Sequence, residues 1–213
     1  MKNICCLLLI LVSSFSVNAS ETTNYIGSTN LSNTQAANVN IIGPANLDNM
    51  TLNSASITGI LQFKNLTVSS SANIIGPVSG ISGKFGKLDV TGSLSLQDSE
   101  INSLKVIGEV NFENVNVKKD ADILGEFVAE KSVLYNLTIT AINIELSKTK
   151  VNNITIKENS SKPHLKSKQI LEIKNRSIVN GDITFESNSG KILISKDSEI
   201  KGKIIGAQVQ NLE

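Results

Sequence analysis

Val90-Thr91-Gly92-Ser93-Leu94-Ser95-Leu96-Gln97-Asp98-Ser99-Glu100-Ile101-Asn102-Ser103-Leu104-Lys105 is one unit of a repeat, and Val106-Ile107-Gly108 opens the next. Within the unit, apolar Val90, Leu96, Ile101 and Leu104 are separated by turn formers at Gly92, Asp98 and Ser103. The same glycine register holds outward in both directions. Gly27, Gly43, Gly59, Gly76, Gly92, Gly108 and Gly125 recur every 16 or 17 residues, each two residues after Tyr, Ile or Val. A period this short, sustained over more than half the chain, marks stacked coils in which each turn buries its apolar edge against its neighbours.

Starting the coils at Tyr25, Ile41, Ile57, Ile74, Val90, Val106, Ile123, Ile139 and Ile156 aligns the remaining apolar residues in columns. About six residues on stand Leu31, Leu47, Phe63, Ile81, Leu96, Phe112, Ala129 and Leu146. About eleven on stand Ala36, Leu52, Val68, Phe85, Ile101, Val117, Leu134 and Val151. Two before the next start stand Val39, Ala55, Ala72, Leu88, Leu104, Ala121, Leu137 and Ile154. Local alternation, as in Leu137-Thr138-Ile139, and the β-branched composition predict three short strands per turn rather than helix. The fold expected is all-β, a single-stranded parallel β-helix of triangular section with 16–17-residue coils. Eight coils from Tyr25 to Thr155, stacked at about 4.8 Å, would form a prism about 38 Å long.

The corners follow the same register. One polar column runs Asn33, Asn49, Asn65, Ser82, Asp98, Asn114, Lys131 and Lys148, and a second includes Ser54, Ser71, Ser103, Asp120, Asn136 and Asn153. Asn, Asp and Ser tolerate left-handed backbone at a corner, and stacked amides can bond along the axis. The glycine column predicts a third corner with positive φ or a close backbone approach.

Residues 1–19 read as a secretion signal: Lys2, an uncharged apolar run from Ile4 to Val12, then Val17-Asn18-Ala19 before a cut at Ser20. The apolar run is too short to span a bilayer, so no transmembrane segment is expected. Both cysteines, Cys5 and Cys6, lie inside that segment, so stability after export must come from the core and not from disulfides. The 20 basic and 19 acidic groups balance once Lys2 is removed, which supplies no long-range attraction to nucleic acid.

The domain reading is therefore a signal peptide over 1–19 and a solenoid of about eight coils over 20–156. A polar linker or loop over 157–169 follows, then β coils over 170–213 that continue or cap the stack. Pro163 cannot donate to a ladder, which places the break there. Val179-Asn180-Gly181 and Ile200-Lys201-Gly202 repeat the apolar-x-Gly start at a spacing of 21, with a small protrusion expected at Ser187-Asn188-Ser189-Gly190.

Coils of this length with starts such as Val90-Thr91-Gly92, Val179-Asn180-Gly181 and Ile200-Lys201-Gly202 resemble the bactofilin-like polymer-forming β-helices of bacteria. The resemblance covers the repeat region and is strongest from Ile178 to Val209. It implies a right-handed parallel β-helix that joins end to end into filaments without nucleotide or cofactor. This chain departs in location, because bactofilins are typically cytoplasmic or inner-membrane associated and this one opens with a secretion signal.

No catalytic, cofactor or metal site is assigned from the sequence. His164, the only histidine, lies in the polar segment and not in the array, unlike the cleft histidine of a β-helix acyltransferase. Asp120 and Asp122 lack the glycine-rich loop of a Ca²⁺ site, and a solvated turn is the simpler reading. Phe63, Phe85 and Phe112 fall in inward columns and are expected in the core rather than on a stacking platform. Lys162, Lys166 and Lys168 read as a solvated loop. Beyond the signal, seven Asn-x-Ser/Thr sequons, at Asn30, Asn49, Asn65, Asn136, Asn153, Asn159 and Asn175, are read as unglycosylated, most of them following from a corner Asn preceding a strand Thr.

The function expected is a non-enzymatic, exported structural β-helix, periplasmic or extracellular, whose partner is a second copy of itself. The first coil opens at Tyr25, close behind the cut, and growth through that uncapped edge is the expected route. The alternative is a monomeric adhesive module that binds an envelope or host-surface glycan or protein through the sparsely charged Asn/Ser/Thr face of residues 25–83.

Overall fold

The computed structural model describes residues 21–158 and 168–212. Residues 1–19, read from the sequence as a secretion signal, and Asn159, Lys162, Pro163, His164 and Lys166 lie outside the described residues. The described residues form 19 strands, from Thr22–Ile26 to Ala207–Asn211, joined in one sheet in which every pairing is parallel. They wind a β-solenoid of about 11 turns with coils of about 17 residues. At about 4.8 Å per rung the stack is about 53 Å long.

Three separate strands per turn were expected, but single strands run through corners. Ala45–Thr58 is one strand of 14 residues and Leu61–Ile75 one of 15. At one corner the bend is made by a single residue in the left-handed region, and pairing continues past it at Asn49, Asn65, Asp98 and Asn114 but is interrupted at Ser82, Lys131 and Lys148. That residue is the predicted first polar column without exception: Asn33, Asn49, Asn65, Ser82, Asp98, Asn114, Lys131 and Lys148 all have φ between 50° and 60°. Asn65 Nδ2 donates to Asn49 Oδ1 at 2.8 Å, and Asn49 Nδ2 to Asn33 Oδ1 at 3.1 Å, so the column is an axial amide ladder. A parallel ladder links Asp120, Asn136 and Asn153 at the second polar corner.

The glycine corner is the tightest. Gly92 has φ +144°, and a Cβ there would lie 2.7 Å from the carbonyl carbon of Gly76 in the coil before it. Only a residue without a side chain lets adjacent backbones approach that closely at that φ.

Two of the three 17-residue steps have a local cause. Ser69-Ser70 and Lys118-Lys119 each place two residues opposite one, Asn53 and Tyr135 respectively, at the second polar corner. The third adds its residue at Ala141-Ile142, where the glycine corner lapses.

The core has more columns than expected. Buried positions include Ala45, Leu61, Val78, Leu94, Val110, Phe127, Ile144 and Leu171, two or three residues past the glycine corner. A further inward position follows each left-handed residue: Met50, Leu66 and Val115 in some coils, Ser99, Ser132, Thr149 and Ser177 in others. The hydroxyls there replace carbonyls in the ladder. Thr149 Oγ1 accepts from the Ser132 N–H at 3.2 Å and donates to Ser147 O at 2.8 Å, and Ser177 Oγ accepts from the Thr149 N–H at 3.0 Å.

The inward column through Phe63 is corrected at one rung. Phe63 and Leu96 both pair with Gly80, and Ile81 is exposed. A Cβ on Gly80 would run into the Phe63 ring, which fills that space and meets Phe85 edge-on at 5.5 Å.

Most of the polar segment 157–169 lies outside the described residues. Ile144 pairs with Leu171, Val151 with Val179, and Ile156 with Phe185, so the strands from Ile170–Lys174 to Ala207–Asn211 continue the stack in register. Buried Gln169 donates Nε2 to Ala141 O at 3.0 Å and Lys157 O at 2.8 Å, tying the described residues on either side of that segment to each other. Gly181 and Gly202 do not resume the glycine corner. Val179 aligns with Val151, not with a coil start, so both glycines stand at the second polar corner, stacked on each other beside Asn153. The protrusion falls where expected, as a turn over Glu186-Ser187 with Asn188 at φ 52°.

Candidate functional site

The two ends of the stack differ from its body in what they leave uncovered. In the middle of the solenoid every inward column is sealed by the coil on either side. At the first coil Tyr25, Leu31 and Ala36 are only partly buried, although they stand in the columns of Ile41, Leu47 and Leu52. At the last coil Ile200 and Ile204 are partly buried and Val209 is 49% exposed, although they continue the columns of Val179, Ile183 and Ile192. Among the described residues no strand pairs with the free edge of Thr22–Ile26 or of Ala207–Asn211, and no helix covers either. Among the described residues, each end therefore presents an apolar core section ringed by backbone donors and acceptors without a strand partner, which is the surface a further parallel coil would cover.

The flanks carry axial ion pairs. Lys131 Nζ bonds Glu113 at 3.1 Å and lies 3.5 Å from Glu130, which also meets Lys148 at 3.4 Å. The Glu113 carboxylate, with Glu130 beside it, raises the Lys131 ammonium above the usual lysine range. Lys131 and Lys148 in turn hold the Glu130 carboxyl below its usual range. Lys174 is raised in the same way by its 2.7 Å hydrogen bond to Glu145. These pairs clip neighbouring coils together on the surface, where each is worth little alone.

Residues singled out from sequence fall as follows. Phe63, Phe85 and Phe112 are buried, with Phe112 edge-on to Phe127 at 5.8 Å. Asp120 accepts from Asn136 in the corner ladder at 2.9 Å, and among the described residues no group of three or more His, Cys, Asp or Glu converges. Lys168 is exposed. The sequon amides Asn30, Asn49, Asn65, Asn136 and Asn153 each bond a neighbouring coil's Asn. Among the described residues no helix is long and apolar enough to cross a membrane.

One feature escaped the sequence reading. The residue before each corner glycine is exposed, and in several coils it is aliphatic: Ile26, Ile42, Ile75, Ile107 and Leu124. They form a broken ridge interrupted by Thr58 and Thr91.

The chain matches no protein-family model, and no curated protein or solved structure is significantly similar to it.

Proposed function

We propose that this chain is an exported, non-enzymatic structural protein whose solenoids add end to end into filaments. The observation that carries the proposal is that both ends display core-column side chains, Tyr25, Leu31 and Ala36 at one and Ile200, Ile204 and Val209 at the other. Head-to-tail contact is heterologous, so a parallel-coil junction generates an open fibre and not a closed dimer.

The register supports a fit. The column that starts each coil runs from Tyr25 through Ile41 to Phe185, and in the last coil Gly206 stands over Phe185. An in-register junction sets Tyr25 of the next copy on Gly206. That repeats the large-over-absent pairing of Phe63 with Gly80. The adhesive alternative is the less supported, because many of the amides on the face of residues 25–83 are bonded to one another along the axis, as in Asn40 to Asn24 and Asn46 to Asn30.

Sedimentation velocity on the purified protein over a wide concentration range tests this reading. The expected result is a concentration-dependent series of species, reduced to monomer by Val209→Lys at the tail or Leu31→Lys at the head, with the melting profile of each variant retained. A single monomeric species at high concentration overturns it.

A further inference from the structure

Two shallow clefts, of about 200 and 330 Å³, lie in line along the face between the left-handed corner and the second polar corner, and they share Lys118. Their shape follows from the coil lengths. Ser69-Ser70 and Lys118-Lys119 bulge outward at the corner, and Gly86, which has no side chain, leaves a low point beside the first bulge. The joined groove crosses the rungs of Val68, Phe85, Ile101, Val117, Leu134, Val151 and Asn180, about 29 Å at 4.8 Å per rung.

The groove has a charge pattern. Lys84, Lys118 and Lys150 stand on alternate rungs, about 9.6 Å apart along the axis, and Lys201 continues the series two rungs beyond Lys150. One carboxylate lines the groove, Glu100, 2.7 Å from Lys118, and that contact holds its carboxyl below the usual range. Glu199 stands on the rung of Lys201. Three lysines against Glu100 leave the groove net positive.

Between the charges the lining is neutral and available. Asn102, Asn116 and Asn152 make no side-chain hydrogen bond among the described residues, in contrast to the amide ladders at the other corners. Tyr135 is 54% exposed and offers an aromatic face on the rung between Lys118 and Lys150.

We propose that this groove binds a linear acidic polysaccharide bearing one carboxylate per disaccharide. Two rungs match the length of a disaccharide in an extended chain, so successive carboxylates meet Lys84, Lys118 and Lys150. The asparagines bond sugar hydroxyls, and Tyr135 packs on the apolar face of a ring. Single-stranded nucleic acid fits less well, since its phosphates repeat at every nucleotide and one exposed aromatic is a poor stacking platform. The site uses side chains far from either end, so it stands independently of filament formation.

The test is titration calorimetry with a hyaluronan decasaccharide, whose carboxylates alternate with neutral sugars. A chitin oligomer of equal length and a single-stranded DNA oligonucleotide serve as comparators. The decasaccharide is expected to bind and the comparators to bind at least about tenfold more weakly, with Lys150→Gln and Tyr135→Ala each weakening it about tenfold. Glu100→Gln is expected to tighten it. All three side chains are exposed, and unchanged melting temperatures establish that the variants fold. Absence of decasaccharide binding, equal or tighter DNA or chitin binding, or affinity untouched by Lys150→Gln and Tyr135→Ala overturns the proposal.

Discussion

Replacing Gly92 by valine attacks the fold where it is tightest. The backbone there has φ +144°, outside the regions open to a β-branched residue, which costs about 1–3 kcal/mol. The new Cβ also meets the Gly76 carbonyl carbon at 2.7 Å, and the partner is backbone held in the ladder by the Gly76 N–H to Thr91 O bond of 2.9 Å. It cannot rotate away, so overpacking adds about 1–3 kcal/mol more.

Asp98→Ala at the neighbouring corner is the matched comparison. It loses one exposed hydrogen bond from Asn114, about 0.5–1.5 kcal/mol, and places alanine at φ 50°, about 1 kcal/mol. For a chain of this size each kcal/mol moves Tm by about 2–4 °C, so Gly92→Val should fall by about 12 °C and Asp98→Ala by about 6 °C. Circular dichroism melts measure the difference. Hydrogen exchange should localise the Gly92→Val damage to the amides of Gly76, Gly92 and Gly108, because a coil in a stack touches only its neighbours. Equal melting temperatures for the two variants would refute the assignment of the glycine column as a close-packed corner.

Other perturbations follow from the same geometry. Thr149→Val should cost about 1–3 kcal/mol, since it strands the Ser132 N–H inside the core, whereas Thr149→Ser should be nearly neutral; chemical denaturation measures both. Phe112→Ala should cost about 3–5 kcal/mol by the same assay, because the ring is fully buried against Phe127. The pH dependence should be shallow. Glu100, Glu130 and Asp197 are lowered in the folded state, so their small contributions are present above the unfolded carboxylate pKa and lost as pH falls through the folded values. Lys131 and Lys174 are raised, so theirs are present below the unfolded lysine pKa and lost as pH rises through the folded values. Melts should therefore be flat through neutral pH and decline slightly at both extremes, with the decline damped by salt.

What the sequence displayed most clearly was backbone geometry. Positive φ restricts composition at two of the three corners, so Gly92 and Asp98 announce their conformation and their columns could be read by spacing alone; the second polar column, Ser54 to Asn153, has no positive φ. The inward position after the left-handed residue was hidden, because Ser99, Ser132, Thr149 and Ser177 are polar and are buried while accepting from the preceding coil's N–H. Gly80 was overlooked in favour of Ile81 because an inward glycine is explained only by the Phe63 ring beside it, seventeen residues away.

The apolar-x-Gly motif at Gly181 and Gly202 misled for a related reason. Two different corners accept glycine, and only strand pairing shows which one is occupied. The groove was equally invisible. Lys84, Lys118 and Lys150 are two coils apart in sequence, and nothing local links them until the coils stack. The N-terminal edge, by contrast, was placed by the register that set Tyr25 in the first coil, whereas the partly buried Ile200 and Ile204 at the other end show only in the stacked coils.

The central claim, that complete solenoids join through those ends, predicts a length. With about 11 turns per chain at about 4.8 Å, an in-register junction sets an axial repeat of about 53 Å. Electron microscopy of assembled protein should show unbranched filaments with that subunit rise. Isolated particles about one solenoid long at high concentration, or fibres whose axial rise is much shorter than one chain, would contradict end-to-end assembly.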